Sequence, residues 1–418
     1  MGTEGSQSAK YAFQIKEAAQ YSCARIKELI EQFGPRAPGS KAEYDAQREM
    51  ARELGEWSDS VEIEGFTVHR QAFMGFIPFT VLLGIVSGVL FWLNLPLSGF
   101  VAAVVAVVPL VGEFLMYRQM VDFLFPGHPS HNVIATRKPT GETKQRIIFV
   151  GHADSQYEWT LNYKLGGVGM KLVMIPAVVG LFAALFANLL KWILMSFTEV
   201  PTASGFFGTL FTVVGYAFLP LSLCVVGVLF FQNPFKSVPG AADNLSGCYT
   251  SMCVLREMER AGLRFESTEV VCILSGSEEA GLRGAKAYVK AHKQEMMDTP
   301  TICIGMDTFR DLEHMAVYNR DMSGTVRHDP EVCALVKQAA ANHGFDLKYE
   351  SVYIGSSDAA AFTQGGIRST GFCAMDPTPP RYYHTRLDNW DILIPEALEA
   401  GIQIALETTL LYDLEAGL

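Results

Sequence analysis

Basic residues are too few and too scattered in this chain to form a stripe: 33 lysines and arginines stand against 44 aspartates and glutamates, a formal net charge of −11. That balance argues against nucleic acid as a partner. Cysteine is sparse and unpatterned. The eight thiols show neither zinc-finger spacing nor the dense framework of a small secreted domain, so they read as reduced, mostly buried side chains in a reducing compartment. Internal repeats and low-complexity tracts are missing, and 418 residues can hold one large domain or two ordinary ones. The opening MGTEGSQSAKYAFQIKEAAQ has neither a basic start nor an apolar run, so a cleaved signal is not expected. Its Gly2 and Ser6 fit the myristoylation pattern, without the hydrophobic follow-through of a membrane anchor.

Charge is also missing from long apolar runs. No charged residue occurs between Glu199 and Lys236. Four stretches, 74–93, 97–117, 168–190 and 206–231, lift the mean hydropathy to +0.18, and each is near the roughly 20 residues that cross a bilayer. Pro220 inside the last is tolerable in a membrane helix and costly in a soluble one. NLPLSG links the first pair and the stretch around Lys191 links the second, so two transmembrane helical hairpins are expected, 74–117 and 168–231. Arg70, Arg118, Lys164, Lys171 and Lys236 flank one side of these four spans, whereas the opposite loops offer little beyond Lys191. The reading is an integral membrane protein with its main body on the cytoplasmic side.

With the hairpins lifted out, the remainder reads as α/β. YAFQIKEAAQYSCARIKELIEQF has helical periodicity, and a second helix around residues 42–54 follows the turn GPRAPGS. The runs VEIEGFTVHRQAF, HNVIATR, QRIIFVGHAD, TEVVCILSGSEE and TICIGMD alternate with helices, which predicts a mixed sheet with helices on both faces.

The chemistry-bearing residues sit where those strands end. IIFVGHAD finishes on His152 and Asp154, a spacing that lets the histidine face a site while the aspartate holds its tautomer. GAADNLSG puts Asp243 at a corner before a helix, where a carboxylate can offer one oxygen to each of two cations. Glu278 and Glu279 follow an apolar run, although adjacent buried carboxylates repel and are costly to desolvate. CIGMD ends on Asp307, and RYYHTRLDNW carries His384. Two histidines with several carboxylates form a mixed nitrogen and oxygen set suited to zinc or a related divalent ion.

In this order, GHAD, GAADNLSG, SGSEEAGLRGAKAYV, GMD and YYHTRLD resemble peptidase family M28, the co-catalytic zinc aminopeptidases with relatives among glutamate carboxypeptidases and glutaminyl cyclases. GPRAPGS and HNVIA look like the family's segments ahead of its first metal ligand. The resemblance implies a zinc-exopeptidase-like (phosphorylase/hydrolase-like) domain assembled from 10–72, 127–158 and 236–418. It further implies two Zn2+ ions, or Co2+ or Mn2+ in their place. His152 and Asp307 would complete one, Glu279 and His384 the other, with Asp243 bridging. Glu278 would be the general base, taking a proton from water and passing it to the leaving amine. Asp154 would orient His152, and Tyr382 or Tyr383 would stand near the tetrahedral intermediate.

The function so implied is a membrane-anchored di-zinc exopeptidase of aminopeptidase type, acting on short peptides or amino-acid conjugates, with the lipid bilayer as its other partner. The alternatives are a single-zinc glutaminyl-cyclase-like acyltransferase, an amidohydrolase of amino-acid conjugates, and an inactive membrane scaffold. One departure from the family stands out: a whole hairpin separates Asp154 from Asp243, where typical members have a short loop. Other features read plainly. Cys248 and Cys253 suit core packing, Asn244 in NLS is discounted as a glycosylation acceptor, and the resemblance makes Asp358 in YIGSSDAAAF a structural acid. Substrate preference and oligomeric state are not legible.

Overall fold

The apolar runs that alternate with helical patterns fold into a nine-stranded sheet in a computed structural model of the chain, which describes residues 6–352 and 355–415. Gly2, Tyr353 and Ile354 lie outside the described residues. The strands are β1 (Ser60–Val68), β2 (His128–Arg137), β3 (Gln145–His152), β4 (Thr268–Ser275), β5 (Thr301–Phe309), β6 (Met315–Asp321), β7 (Val326–Arg327), β8 (Lys348–Ser351) and β9 (Arg368–Ala374). Their order is β1-β2-β4-β3-β5-β9-β6-β7, with β8 paired to β6. The centre, β4-β3-β5-β9, is parallel, and β1, β2 and β6 pair antiparallel around it.

Every residue of β3 and β4 is buried, as expected of parallel strands covered on both faces. Ile147 and Phe149 belong to the main core, which also takes in residues of α1 (Ile15–Phe33), α2 (Lys41–Leu54) and α3 (Gly247–Arg260). The alternate residues Ile148 and Val150 face the other side. Contacts to that side come from α4 (Arg283–Asp298) and α6 (Asp358–Gly365), while α5 (Pro330–Asn342) packs with α7 (Pro395–Glu415). The α1 helix buries Ala18, Ser22, Ile26, Leu29 and Ile30 along one stripe. The run VEIEGFTVHRQAF, read as one strand, stays extended only to Val68, and helix begins at Ala72. Strands β6–β8 are additions that short, mixed-polarity sequence did not announce.

One carboxylate fastens the start of the described chain to this unit. Glu407 on α7 accepts from the Ser6 hydroxyl (3.0 Å), from the amides of Gln7 (2.9 Å) and Ser8 (2.8 Å), and from Asn342 (2.8 Å). Burial would raise this carboxyl, but the hydrogen bonds from His343, Asn342 and the two amides outweigh it and hold it below its usual range. Glu407→Gln leaves buried donors facing an amide NH2 and is expected to cost about 1–3 kcal/mol at neutral pH. A depressed carboxyl lends stability above its unfolded-state pKa and loses it as pH falls through the folded-state pKa. The deficit, read by denaturant unfolding at several pH values, should therefore shrink below about pH 4.5.

The chain divides into two units: Met1–Arg70, Gly127–Glu158 and Phe235–Leu418 carry the sheet, while Gln71–Pro126 and Trp159–Pro234 form a helical unit. The helical unit contains four helices long and apolar enough to cross a membrane: Ala72–Trp92, Pro96–Leu115, Thr160–Phe197 and Gly205–Phe230. Large apolar side chains point outward from them, with Phe79, Leu172 and Leu223 well exposed. The few polar groups inside are paired across helices. Thr80 donates to the Ala106 carbonyl (3.1 Å), Ser87 to the Gly99 carbonyl (2.8 Å), and Asn188 to the Ser87 hydroxyl (3.1 Å). Gly99 is required there, because a Cβ would lie 2.3 Å from the Asn188 side-chain oxygen.

Lys191 does not lie in a connecting loop as expected. The third helix runs on from Thr160 through Phe197, and the Lys191 ammonium turns inward to donate to the Phe91 carbonyl (3.0 Å) over the Phe91 ring (4.4 Å). That carbonyl belongs to the last turn of an apolar helix, where a cation is favoured by the helix dipole.

Candidate active site

Three parallel strands bring the predicted residues to one edge. His152 is the last residue of β3 and pairs in register with Ser275, the last of β4, and Asp307 lies near the end of neighbouring β5. These are carboxyl ends, where ligands collect in open α/β sheets. Glu278 and Glu279 form a short turn after β4, Asp243 sits in an irregular turn (Ala241–Ser246) leading into α3, and His384 lies in the loop after β9. The Asp243–Asn244 peptide is cis.

Asp243 stands between the two histidines. Its Oδ1 is 3.2 Å from His152 Nε2 and its Oδ2 is 2.9 Å from His384 Nε2. On the first side, His152 Nε2 is 3.8 Å from Glu278 Oε2 and 4.0 Å from Asp307 Oδ1. On the other, His384 Nε2 is 3.3 Å from Glu279 Oε1. Donor atoms of His152, Asp243 and Asp307 gather within 4.8 Å of one another, as do those of Asp243, Glu279 and His384. A third such group is His152, Glu278 and Glu279. All five predicted metal ligands and the predicted base are thus brought together.

Burial and crowding dominate the electrostatics. Burial pushes Glu278 well above the usual carboxylate range; His152 opposes the shift and Glu279 adds to it. Glu279 is raised by burial against the pull of His384, and Asp307 is pushed up to about 7 by burial and by Asp243. Burial works against a charge on His384, yet Glu279 and Asp243 outweigh it and push the imidazole up to about 10. His152 is raised in the same way by Glu278, Asp154 and Asp243. Asp243 goes the opposite way, since the hydrogen bonds from both histidines overcome its burial.

Asp154 approaches His152 and also binds the turn after β4. It lies 3.5 Å from His152 Nδ1, but its two oxygens accept the backbone amides of Glu278 (3.0 Å) and Glu279 (3.1 Å). Two further carboxylates act in the same manner and were not singled out from the sequence. Asp388 accepts the amides of Ala242 (2.7 Å) and Asp243 (3.0 Å). Glu43 accepts the amides of Ser277 (2.7 Å) and Gly39 (2.9 Å). Burial and Asp154 push Glu43 up to about 8, and burial and Asp243 push Asp388 up to about 7.

A signal existed for both. Asp388 falls inside YYHTRLDNW, and Ser40 with Glu43 has the spacing of a capping box, in which Ser40 accepts the Glu43 amide (3.2 Å). Glu43 holds unfavourable backbone in place at Ser277, and Asn244 does so at Thr308, whose amide it accepts. Ser277, Thr308 and His384 are non-glycine residues at φ of 54°, 44° and 53°, a conformation that costs on the order of 1–3 kcal/mol at each position.

Arg36, in GPRAPGS, is fully buried and donates to the carbonyls of Ala153 (2.7 Å), Pro239 (2.8 Å) and Gly240 (2.9 Å). It thereby ties the segment after His152 to the segment before Asp243. Asn244 is committed as well: it donates to the Met306 carbonyl (2.9 Å) and accepts the Thr308 amide (3.1 Å), which agrees with discounting it as a glycosylation acceptor. Asp358 is buried and takes the Ser275 hydroxyl. Tyr382 is placed differently from its expected role. It is buried, and its hydroxyl donates to Asp311 (2.7 Å), so it props the loop that carries His384. The Tyr383 ring instead stacks on the His384 ring, 3.8 Å between centroids.

Residues 226–409 match the model of peptidase family M28. The resemblance to M28 read from five motifs is therefore borne out. Many solved structures share the fold, three of them as follows. The zinc aminopeptidase BSAP from Bacillus subtilis is 14% identical with a TM-score of 0.55, covering 93% of this chain and 94% of its own. The aminopeptidase from Aneurinibacillus sp. strain AM-1 is 16% identical with a TM-score of 0.53, covering 95% and 94%. Porphyromonas gingivalis glutaminyl cyclase is 12% identical with a TM-score of 0.54, covering 98% and 100%. At such identities the likeness is one of fold, and the predicted zinc-exopeptidase-like α/β class holds. No curated protein sequence matches the chain. The M28 match implies zinc, and the clustered imidazoles and carboxylates are donors of the kind zinc takes.

Proposed function

We propose that this chain is a membrane-anchored di-zinc exopeptidase of the M28 type, acting as an aminopeptidase on short peptides or amino-acid conjugates. The observation that carries the reading is the placement of Asp243, whose two oxygens face two separate nitrogen and oxygen clusters. His152, Asp243 and Asp307 would hold one ion, and Asp243, Glu279 and His384 the other. Zinc bound there supplies Lewis acidity toward the scissile carbonyl and a lowered pKa for the attacking water.

The remaining chemistry falls to the chain. Glu278 lies 3.8 Å from His152 beside that cluster, and the resemblance to M28 gives it the role of the base that takes the proton from water and returns it to the leaving amine. Asp154 and Glu43 hold the turn that aims it. Tyr383, stacked on His384, is the tyrosine assigned to the substrate side. The four apolar helices would supply the anchor, and the excess of cations flanking one side of them supports a cytoplasmic position for the sheet unit.

The test is metal content together with hydrolysis of amino-acid anilides by detergent-purified protein. Two zinc-class ions per chain are expected. Chelation should abolish turnover, and stoichiometric zinc should restore it. A single ion with cyclisation of N-terminal glutamine would transfer the assignment to the cyclase reaction, whose fold this chain shares. Full turnover after exhaustive chelation would refute both.

A further inference from the structure

The chain leaves the sheet unit at Glu158 and returns at Phe235, and the segments on either side of that excursion are zipped together. The Val238 amide donates to the Gln156 carbonyl (2.9 Å), the Glu158 amide to the Lys236 carbonyl (2.8 Å), and Tyr157 and Ser237 form an antiparallel bridge. Ser155 closes the base. Its hydroxyl donates to the Val238 carbonyl (2.8 Å) and accepts the Arg36 amide (2.9 Å). On the far side, Arg386 grips both oxygens of the buried Glu158.

Gln156 is a neck residue whose side chain reaches a predicted ligand. It is buried, and its Nε2 donates to Glu279 Oε2 at 2.5 Å, while its Oε1 accepts the Tyr157 amide (2.8 Å). Glu279 is therefore held from two directions: the neck orients Oε2, and Oε1 faces His384. A carboxylate held at one oxygen presents the other in a fixed direction, and such outer partners set ligand orientation in metal sites.

We propose that Gln156 is the positioning residue for Glu279, so that the affinity of the Asp243–Glu279–His384 cluster depends on the neck through which the helical unit is inserted. The inference rests on the two-cluster reading above. Asp154 and Asp388 steady their loops through backbone amides, whereas Gln156 acts on a ligand side chain itself.

The test is a competitive Zn2+ titration of the detergent-purified full-length apoprotein, repeated with Co2+ so that its visible absorption reports ligand geometry. Gln156→Met fills the same volume without a donor. One binding phase is expected to weaken about 10–100-fold, with an altered cobalt spectrum, while the other phase is unchanged. Gln156→Asn keeps an amide but cannot span the gap, and should show the same loss even if the methionine variant folds poorly. The control is Gln145→Met at the opposite end of β3, where the buried Gln145 amide bonds Thr268 (3.0 Å) and the Tyr412 carbonyl (2.8 Å). That variant should lower Tm and leave both binding phases intact. Wild-type affinity in both Gln156 variants, or an equal loss in the control, would overturn the proposal. If the wild-type protein binds a single ion, the two-ion reading falls, and the Gln156 variants still decide the proposal by whether that ion is weakened.

Discussion

Glu278→Gln is expected to lower kcat on an amino-acid anilide by about 10²–10⁴-fold, the range that a positioned general base contributes. The amide is nearly isosteric, and the backbone of residue 278 is held by Asp154 irrespective of the side chain, so the turn should persist. Metal content should stay at the wild-type value, because the five remaining ligands are untouched. The paired measurement is turnover and metal stoichiometry on one preparation. Loss of turnover together with loss of metal would reassign Glu278 as a ligand, a possibility that the His152, Glu278 and Glu279 grouping makes concrete. Burial raises this carboxyl above its ordinary range, with His152 opposing the shift.

Asp243→Asn should be at least as damaging, and by another route. The carboxylate is the one side chain common to both candidate clusters, and an amide cannot offer a negatively charged oxygen to each. Metal content should fall from two ions to at most one. The accompanying loss of carbonyl polarisation, on the order of several kcal/mol, corresponds to roughly 10³-fold or more in rate at about 1.4 kcal/mol per decade. The fold should survive, because the Asp243 and Ala242 amides remain bonded to Asp388 and the neighbouring Asn244 still ties the turn to β5. Metal analysis with circular dichroism checks both halves of this expectation. Retention of two tightly bound ions in the variant would remove Asp243 from the bridging position.

The contrast between these variants lies in where the charge acts. Glu278 handles a proton and Asp243 handles ions, and the geometry separates them although His152 faces both. The same logic accounts for the tandem glutamates. Two adjacent buried carboxylates are costly unless each has a distinct partner, and here Glu279 faces His384 and Gln156 whereas Glu278 faces His152. Asp154 steadies the arrangement by accepting both backbone amides at once, which fixes the turn from which the two side chains extend.

Much of this was legible from residue order. The α/β class followed from strand-length apolar runs alternating with helical patterns, and the four apolar helices from length and lack of charge. Both are one-dimensional signals, carried by the period and extent of hydrophobicity. The candidate ligands were legible because strand ends are marked: an apolar run that stops abruptly at His, Asp or Glu beside glycine points to the sheet edge where sites form. His152, Glu278, Glu279 and Asp307 carried such a mark, whereas Asp243 and His384 lie in loops and were legible through the resemblance to M28; the fold brings all six within reach of one another.

Tertiary structure alone decided how those residues are held. Gln156, Glu43, Arg36 and Asp388 act over separations of about 100 residues or more, through hydrogen bonds that depend on two chain segments meeting in space. No local period records such a meeting. The Tyr382 hydroxyl reaches Asp311 and the Lys191 ammonium reaches the Phe91 carbonyl, partners that belong to other segments of the chain. The amino-acid sequence by itself determined which groups are available and at which strand ends they emerge, because covalent order and hydrophobic period are local. The fold determined the pairing of their oxygens and nitrogens, because a hydrogen bond is selected by distance and direction, which exist only once the segments are packed.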